Sequence, residues 1–287
     1  MLVGIVSWAA AAENAERPIE LLVRGDDMGH SLDVNLGFIK AHTEGIVTSA
    51  SLMAPSLYFD DAITRCKAHP KLAPGIHVTL MATTPMRPIL PPDQVSSLLA
   101  PNGFFYHGLE DFLKSEPKID EVEKEVRAQI EKCLGTGLRF IYLDWHMASS
   151  GGGKRPDIVA VFQRLCREYR LLYTHDTLDV DGRYSGAKFF GVGLEAWGTV
   201  RLPDGNLAYW CGPDLPEATR LKFLDTLRSL QPGTWYTICH PGLYAPRQAQ
   251  SVAVLCSQEV KDILQARKIR LISYADLWNR QFGGTSQ

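Results

Sequence analysis

The chain has 287 residues, 45% of them hydrophobic, enough to bury a sizeable core in one large α/β domain. Its 30 Lys and Arg stand against 32 Asp and Glu with no long run of either sign. This excludes a nucleic-acid footprint and an anionic-membrane anchor, and leaves a small, weakly charged molecule as the expected partner. The six cysteines (Cys66, Cys133, Cys166, Cys211, Cys239, Cys256) lack the paired short spacing of a zinc or redox site and read as core thiols. Only Cys239 stands beside a residue of chemical interest, His240.

Leu2 to Ala12 form an apolar run followed by the polar stretch Glu13 to Arg17, like the end of a secretory leader, though without a basic n-region. The run is too short to span a bilayer. Residues 1–18 are read as a leader or N-terminal extension and 19–287 as the folded domain. A cleaved leader would send the protein to the periplasm or outside the cell; otherwise it would stay in the cytoplasm.

The first apolar run, Ile19 to Val23, predicts a buried strand that breaks at Asp26-Asp27-Met28-Gly29. Side chains alternate across a strand, so adjacent aspartates serve one site only if the backbone turns there, which the following glycine permits. Alone, the pair reads as a solvated turn or helix cap. A divalent metal would give both carboxylates a reason to be there. A helix over Leu32–Glu44, a strand over Ile46–Met53 and a helix over Phe59–Ala68 follow. In the next strand, Gly75–Leu80, alternation places Ile76, Val78 and Leu80 on one face and His77 with Thr79 on the other.

Thr83 to Gly108 is rich in proline and glycine, and a helix is expected over Ile119–Leu134. The strand Phe140–Trp145 puts Tyr142, Asp144 and His146 on a common face, where Asp144 could fix a histidine tautomer. Gly151-Gly152-Gly153 lacks the spacing of a nucleotide-binding loop. A helix over Asp157–Tyr169 and a strand over Leu171–Tyr173 precede a glycine-rich stretch, Leu178 to Leu215, whose Trp197 and Trp210 could offer apolar faces to sugar rings or simply pack the loop. Long insertions of this kind usually form lids or substrate walls. The chain closes with a helix over Pro216–Leu230, a strand over Trp235–Cys239 ending in His240-Pro241-Gly242, a helix over Ser257–Ala266, a strand over Ile269–Ile272 and a helix over Tyr274–Arg280.

Strands alternating with helices predict a mainly parallel sheet, and seven or so such units suit an irregular, closed or partly closed β/α barrel, with the doubly wound open sheet as the alternative. Asp26, Asp27, His77, His146 and His240 all fall at the ends of predicted strands, which in a barrel converge on one mouth. One carboxylate and two imidazoles hold a divalent ion while leaving positions open, a set suited to catalysis. The same set serves non-haem iron oxygenases, but the short His-x-Asp spacing of that class is missing, so hydrolysis is the expected chemistry.

These segments, with Gly45 to Met53 and the closing Ile269 to Leu277, resemble the YdjC-like (ChbG/HpnK) carbohydrate deacetylases over roughly residues 19 to 280. The resemblance implies an irregular β/α barrel and metal-dependent removal of acetyl groups from amino sugars such as chito-oligosaccharides. By position, it makes Asp27, His77 and His146 the ligands of one divalent ion, magnesium or zinc. It makes Asp26 the general base acting on metal-activated water, and it places His240 on the other side of the scissile amide. Two departures stand out. Arg24-Gly25 replaces the family's frequent Asn-Ala, and Met147-Ala148-Ser149-Ser150 replaces frequent extra histidines. Arg24 lies on the strand face of Asp26, where a cation would weaken that base or help bind an acidic substrate group. The competing expectations are a carbohydrate-binding relative without turnover and a metal-dependent hydrolase of another ester or phosphodiester. The expected partner is a small carbohydrate, without nucleic acid or membrane span, and a homodimer is the assembly entertained.

Overall fold

The computed structural model describes residues 18–147, 149–151, 154–173, 187–189, 199–201, 207–209, 217–244 and 246–283. In chain order the elements are β1 (Ile19–Met28), α1 (Leu32–Thr43), β2 (Ser49–Leu52), α2 (Phe59–Ala68), β3 (Ala73–Val78), α3 (Leu109–Lys114) and α4 (Ile119–Leu134). There follow β4 (Tyr142–Trp145), α5 (Pro156–Tyr169), β5 (Leu172–Tyr173), β6 (Ala187–Phe189), β7 (Thr199–Arg201), β8 (Leu207–Tyr209) and α6 (Glu217–Ser229). The chain ends in β9 (Gly233–Cys239), α7 (Pro246–Leu255), α8 (Gln258–Ala266), β10 (Arg270–Ile272) and α9 (Tyr274–Phe282).

Eight strands form one sheet in the order β5-β4-β3-β2-β1-β9-β6, with β10 beside the first half of β1, and every pairing is parallel. The sheet is a curled half-barrel within a single α/β domain, with the main core on its outer face under the helices, rather than the doubly wound open sheet; among the described residues β5 and β6 do not pair with each other. Strands β7 and β8 make a separate antiparallel pair.

Alternation divides the two faces cleanly. Leu21, Val23, Ala50, Leu52, Ile76, Val78, Leu143 and Trp145 point outward into the main core under the helices. The inner face begins with an apolar floor of Leu22, Ala73, Tyr142, Leu172, Tyr236 and Ile272, closed by Tyr274 and Leu277 of α9. The Tyr142 and Tyr274 rings stack with centroids 4.0 Å apart. Gly75 permits this, because a Cβ there would meet the Tyr142 ring at 2.2 Å. Above this floor the inward positions turn polar: Arg24, Ser51, Asp144 and His77, all buried.

Most predicted elements recur within a residue or two. The chief difference is β1, which does not break before the aspartates but runs through them to Met28. Its register against β2 shifts between Gly25 and Met28, a β-bulge in which Asp27 adopts φ 74°. The turn that brings neighbouring carboxylates to one side thus sits at Asp27 itself. Helices α3 and α7 and strands β6 to β8 were not anticipated; the strands lie in the glycine-rich stretch Leu178 to Leu215, which reads as loop. The 83–108 insertion packs down rather than standing open: Val95, Leu98, Leu99 and Phe105 are buried, and its backbone N–H groups at Ile89, Leu90 and Ser97 donate to Glu125 and Glu121 of α4. Residues 1–17, Trp197 and Trp210 lie outside the described residues. Among the described residues no helix is long and apolar enough to cross a membrane.

At the foot of β1, Glu20 is 3% exposed and accepts hydrogen bonds from Arg270, Arg280 and Thr234. Burial works against its charge, but these donors, Arg280 foremost, hold its pKa at about 2. The folded pKa lies below the ordinary value, so the stabilisation is complete above about pH 4.5 and fades as pH falls towards 2. Thermal melts of Glu20→Gln should therefore lie several degrees below the wild type at pH 7 and converge on it as pH falls to about 2. A constant gap across that range would contradict the assignment.

Candidate metal and catalytic site

Four strand ends build the site. Asp26 and Asp27 come from the bulge of β1, His77 from β3, His146 from the residue after β4 and His240 from the residue after β9. His77 faces Asp144 across the β3–β4 pair, and its Nδ1 lies 2.8 Å from Asp144 Oδ1. The carboxylate expected to orient a histidine therefore serves His77 on the neighbouring strand, not His146 two residues along. With Nδ1 engaged, Nε2 of His77 points to Asp27 Oδ1 at 3.2 Å, and His146 Nδ1 reaches the same oxygen at 2.8 Å. His240 stands further off, its Nε2 3.9 Å from Asp27 Oδ2, with a half-exposed side chain.

Asp27 Oδ1 is buried and makes no hydrogen bond, despite the two imidazole nitrogens beside it. A buried oxygen facing two ring nitrogens without a shared hydrogen bond is what a cation between them would reconcile. Asp27, His77 and His146 each place a donor atom within 4.8 Å of the others. The electrostatics agree. Burial opposes ionisation of Asp27, yet His146, His77 and His240 hold its carboxyl well below the usual carboxylate range. Burial likewise opposes charge on His77, yet Asp144 and Asp27 push its pKa to about 10. The pocket attracts positive charge at this point.

Arg24 lies beneath. Its Nε donates to Asp26 Oδ1 at 2.7 Å and Nη2 to Asp26 Oδ2 at 3.1 Å, while Nη1 reaches Asp144 Oδ2 at 2.9 Å. The guanidinium is 4% exposed and turned to two carboxylates, so it is not presented to an acidic substrate group as one sequence expectation had it. Asp26, His77 and Asp144 also fall within metal-ligating distance of one another, but Arg24 already occupies that side as the counter-charge. Burial opposes ionisation of Asp144, and Arg24 and His77 more than offset it, keeping the carboxyl low.

All seven residues singled out in the sequence (Arg24, Asp26, Asp27, His77, Asp144, His146, His240) are gathered here. Ser51 was missed: its hydroxyl donates to Asp144 Oδ2 at 2.8 Å and lies 2.9 Å from the Tyr142 hydroxyl. The signal was present in Ser49-Ala50-Ser51, where polar side chains alternate inward on a fully buried strand. Cys239 takes no part. It faces the core, its Sγ lies 3.4 Å from the Arg24 carbonyl oxygen, and burial pushes the thiol well above its ordinary pKa.

Fold and site together define an α/β half-barrel protein whose mouth carries a donor set suited to a cation. The chain belongs to the YdjC-like protein family, whose model matches residues 20–266. It is 29% identical over 269 residues to a carbohydrate deacetylase of Enterococcus faecalis, covering 90% of this chain and 98% of that one. It is 28% identical to a carbohydrate deacetylase of Brevibacillus brevis, covering 90% and 100%. A crystal structure from Enterococcus faecalis, described as a candidate cellobiose-phosphate cleavage protein, superposes with a TM-score of 0.71 at 27% identity, over 91% of this chain and 99% of that one.

Removing Arg24 would leave Asp26 and Asp144 buried without their counter-charge. Arg24→Leu should lower the unfolding free energy in urea by about 3–5 kcal/mol, as for other broken buried pairs. An unchanged midpoint would show that the pairing contributes nothing.

Proposed function

We propose that the protein is a divalent-metal-dependent carbohydrate deacetylase that hydrolyses the acetamide of an N-acetylated amino sugar. The observation that carries this reading is Asp27 Oδ1, buried without a hydrogen bond between His77 and His146, with a second carboxylate, Asp26, on the adjacent residue. Asp27, His77 and His146 are the residues that would hold the ion. Two imidazoles to one carboxylate favour a borderline ion such as zinc over magnesium. When bound, the ion supplies Lewis acidity to the amide carbonyl and eases deprotonation of water.

The chain's own groups account for the remaining chemistry. Asp26 takes the proton of the attacking water as a general base. Arg24 binds both of its oxygens, and each keeps a lone pair for that proton. Asp144 holds His77 by Nδ1 so that Nε2 faces the site. His240, 3.9 Å from Asp27 Oδ2 and half-exposed, stabilises charge developing on the carbonyl oxygen or gives a proton to the leaving amine. The carbon–nitrogen bond breaks, a carbon–oxygen bond forms, and acetate and the free amino sugar leave.

The substrate class rests on the relatives' names together with the mouth itself. Leu57, Tyr58, Met147 and Tyr244, all on segments that follow strand ends, keep large apolar surface exposed, which suits the apolar faces of sugar rings. A sugar phosphate, suggested by the name of the superposed Enterococcus faecalis structure, calls for a cation in the pocket, and Arg24 is turned to Asp26 and Asp144 instead.

Acetate release from N-acetylglucosamine oligomers tests the reading. Chelation should abolish release and a divalent ion restore it. Asp26→Asn should lower kcat by roughly 10²–10⁴-fold with metal content intact, as expected for loss of a general base. His146→Ala should lose metal and activity together. Sugar binding without release at any metal loading would favour a binding protein. Release from O-acetyl or phosphodiester substrates alone would move the reaction to another bond.

A further inference from the structure

Asp33, the second residue of α1, is bound to the opposite side of the mouth. Its Oδ1 accepts the backbone N–H of Leu243 at 2.8 Å and of Tyr244 at 2.6 Å, three and four residues beyond His240. The same helix touches the same loop at Gly37, where a Cβ would lie 2.4 Å from Gly242 N and Cα. The β9 ladder ends at Cys239, so His240 is carried by irregular backbone. At 3.9 Å from Asp27 its ring is beyond hydrogen-bond reach of that carboxylate. Its place is set by the course of residues 240–244. Among the described residues, the hydrogen bonds recorded for that backbone are the two accepted by Asp33.

We propose that Asp33 is a positioning residue for His240. Helix α1 starts three residues after the Asp27–Gly29 turn, so one rigid element fixes both the carboxylates of β1 and, through Asp33, the loop that brings His240 towards them. The two sides of the reacting bond are thereby held in register by a single helix. An acid in the first turn of a helix also favours the helix dipole, and that role alone would act on stability without reaching His240.

This inference rests on the deacetylase reading, and two measurements separate their fates. On N-acetylglucosamine oligomers, Asp33→Ala should lower kcat by on the order of tenfold or more, since small misplacements of a reacting group are costly. KM and metal content should stay near the wild-type values, and Asp33→Asn, which keeps the accepting oxygen, should recover most of the rate. In a His240→Ala background the same Asp33→Ala change should cost less than about twofold, because the two residues act as one unit. An undiminished kcat, or losses that multiply independently in the double variant, would overturn the proposal.

The second measurement needs no turnover. The His240 imidazole signal in proton–nitrogen spectra, identified by its loss in His240→Ala, should move in Asp33→Ala and return in Asp33→Asn. A signal that stays put would refute the placement even if no acetate is released. A signal that moves in a protein without acetate release would keep the placement and sink the reaction.

Discussion

The buried contact of Arg24 with Asp26 and Asp144 is the constraint on which the site depends. Three carboxylates, Asp26, Asp27 and Asp144, converge inside a curled sheet, and among the described residues Arg24 is the fixed cation paired with them. Charges are seldom buried unless they are paired, and here the pairing sets directions as well as balance. The fork of the guanidinium binds both oxygens of Asp26 and one of Asp144, leaving the other Asp144 oxygen for His77. From there the order passes to Asp27, whose Oδ1 faces Nε2 of the oriented His77. The residual negative potential lies at Asp27, one layer nearer the solvent, where a divalent ion would complete the balance.

That arrangement needs a firm base, and the inner face of the sheet provides it in layers. Tyr142 and Tyr274 stack over the space left by Gly75, and Tyr142 then turns its hydroxyl up to Ser51, which donates to Asp144. The apolar floor and the polar layer are thus joined through one tyrosine. Helix α9 closes this floor from below with Tyr274 and Leu277, so residues from the last helix support a site whose side chains begin in the first strand. A cavity in that floor would be felt at Asp144 before it was felt at Asp27 and the histidines around it.

Much of this was legible in the sequence because parallel β/α folds obey a simple rule: strand ends converge. His77, His146 and His240 could be placed at one mouth from apolar runs alone, and alternation put Arg24 on the strand face of Asp26 and Asp144 on that of Tyr142. What escaped were features set by pairing between strands. The Asp144–His77 contact depends on the β3–β4 register, which neither strand encodes by itself. The bulge at Asp27 depends on the mismatch of β1 with β2, and nothing in Gly25-Asp26-Asp27-Met28 says which residue takes positive φ. Asp33 escaped because an acid in the first helical turn already has a sufficient local reason to be there.

Under the proposed deacetylase reading, the departure at Arg24 bears on how substrates would be told apart. Where the family resemblance leads one to expect asparagine, this chain places a cation, and that cation is committed to the carboxylates of Asp26 and Asp144. Arg24 is paired with Asp26 and Asp144 and is too deeply buried to reach the exposed surface of the mouth. On that reading, discrimination would fall to the exposed residues that follow strand ends: Leu57 and Tyr58 after β2, Met147 after β4 and Tyr244 beyond His240. These lie on separate loops, so the rim can vary without disturbing the layer of buried charge beneath it. Tyr244 is the exception. Its backbone N–H is held by the same Asp33 oxygen that fixes the His240 loop, which couples this part of the rim to the histidine it stands beside.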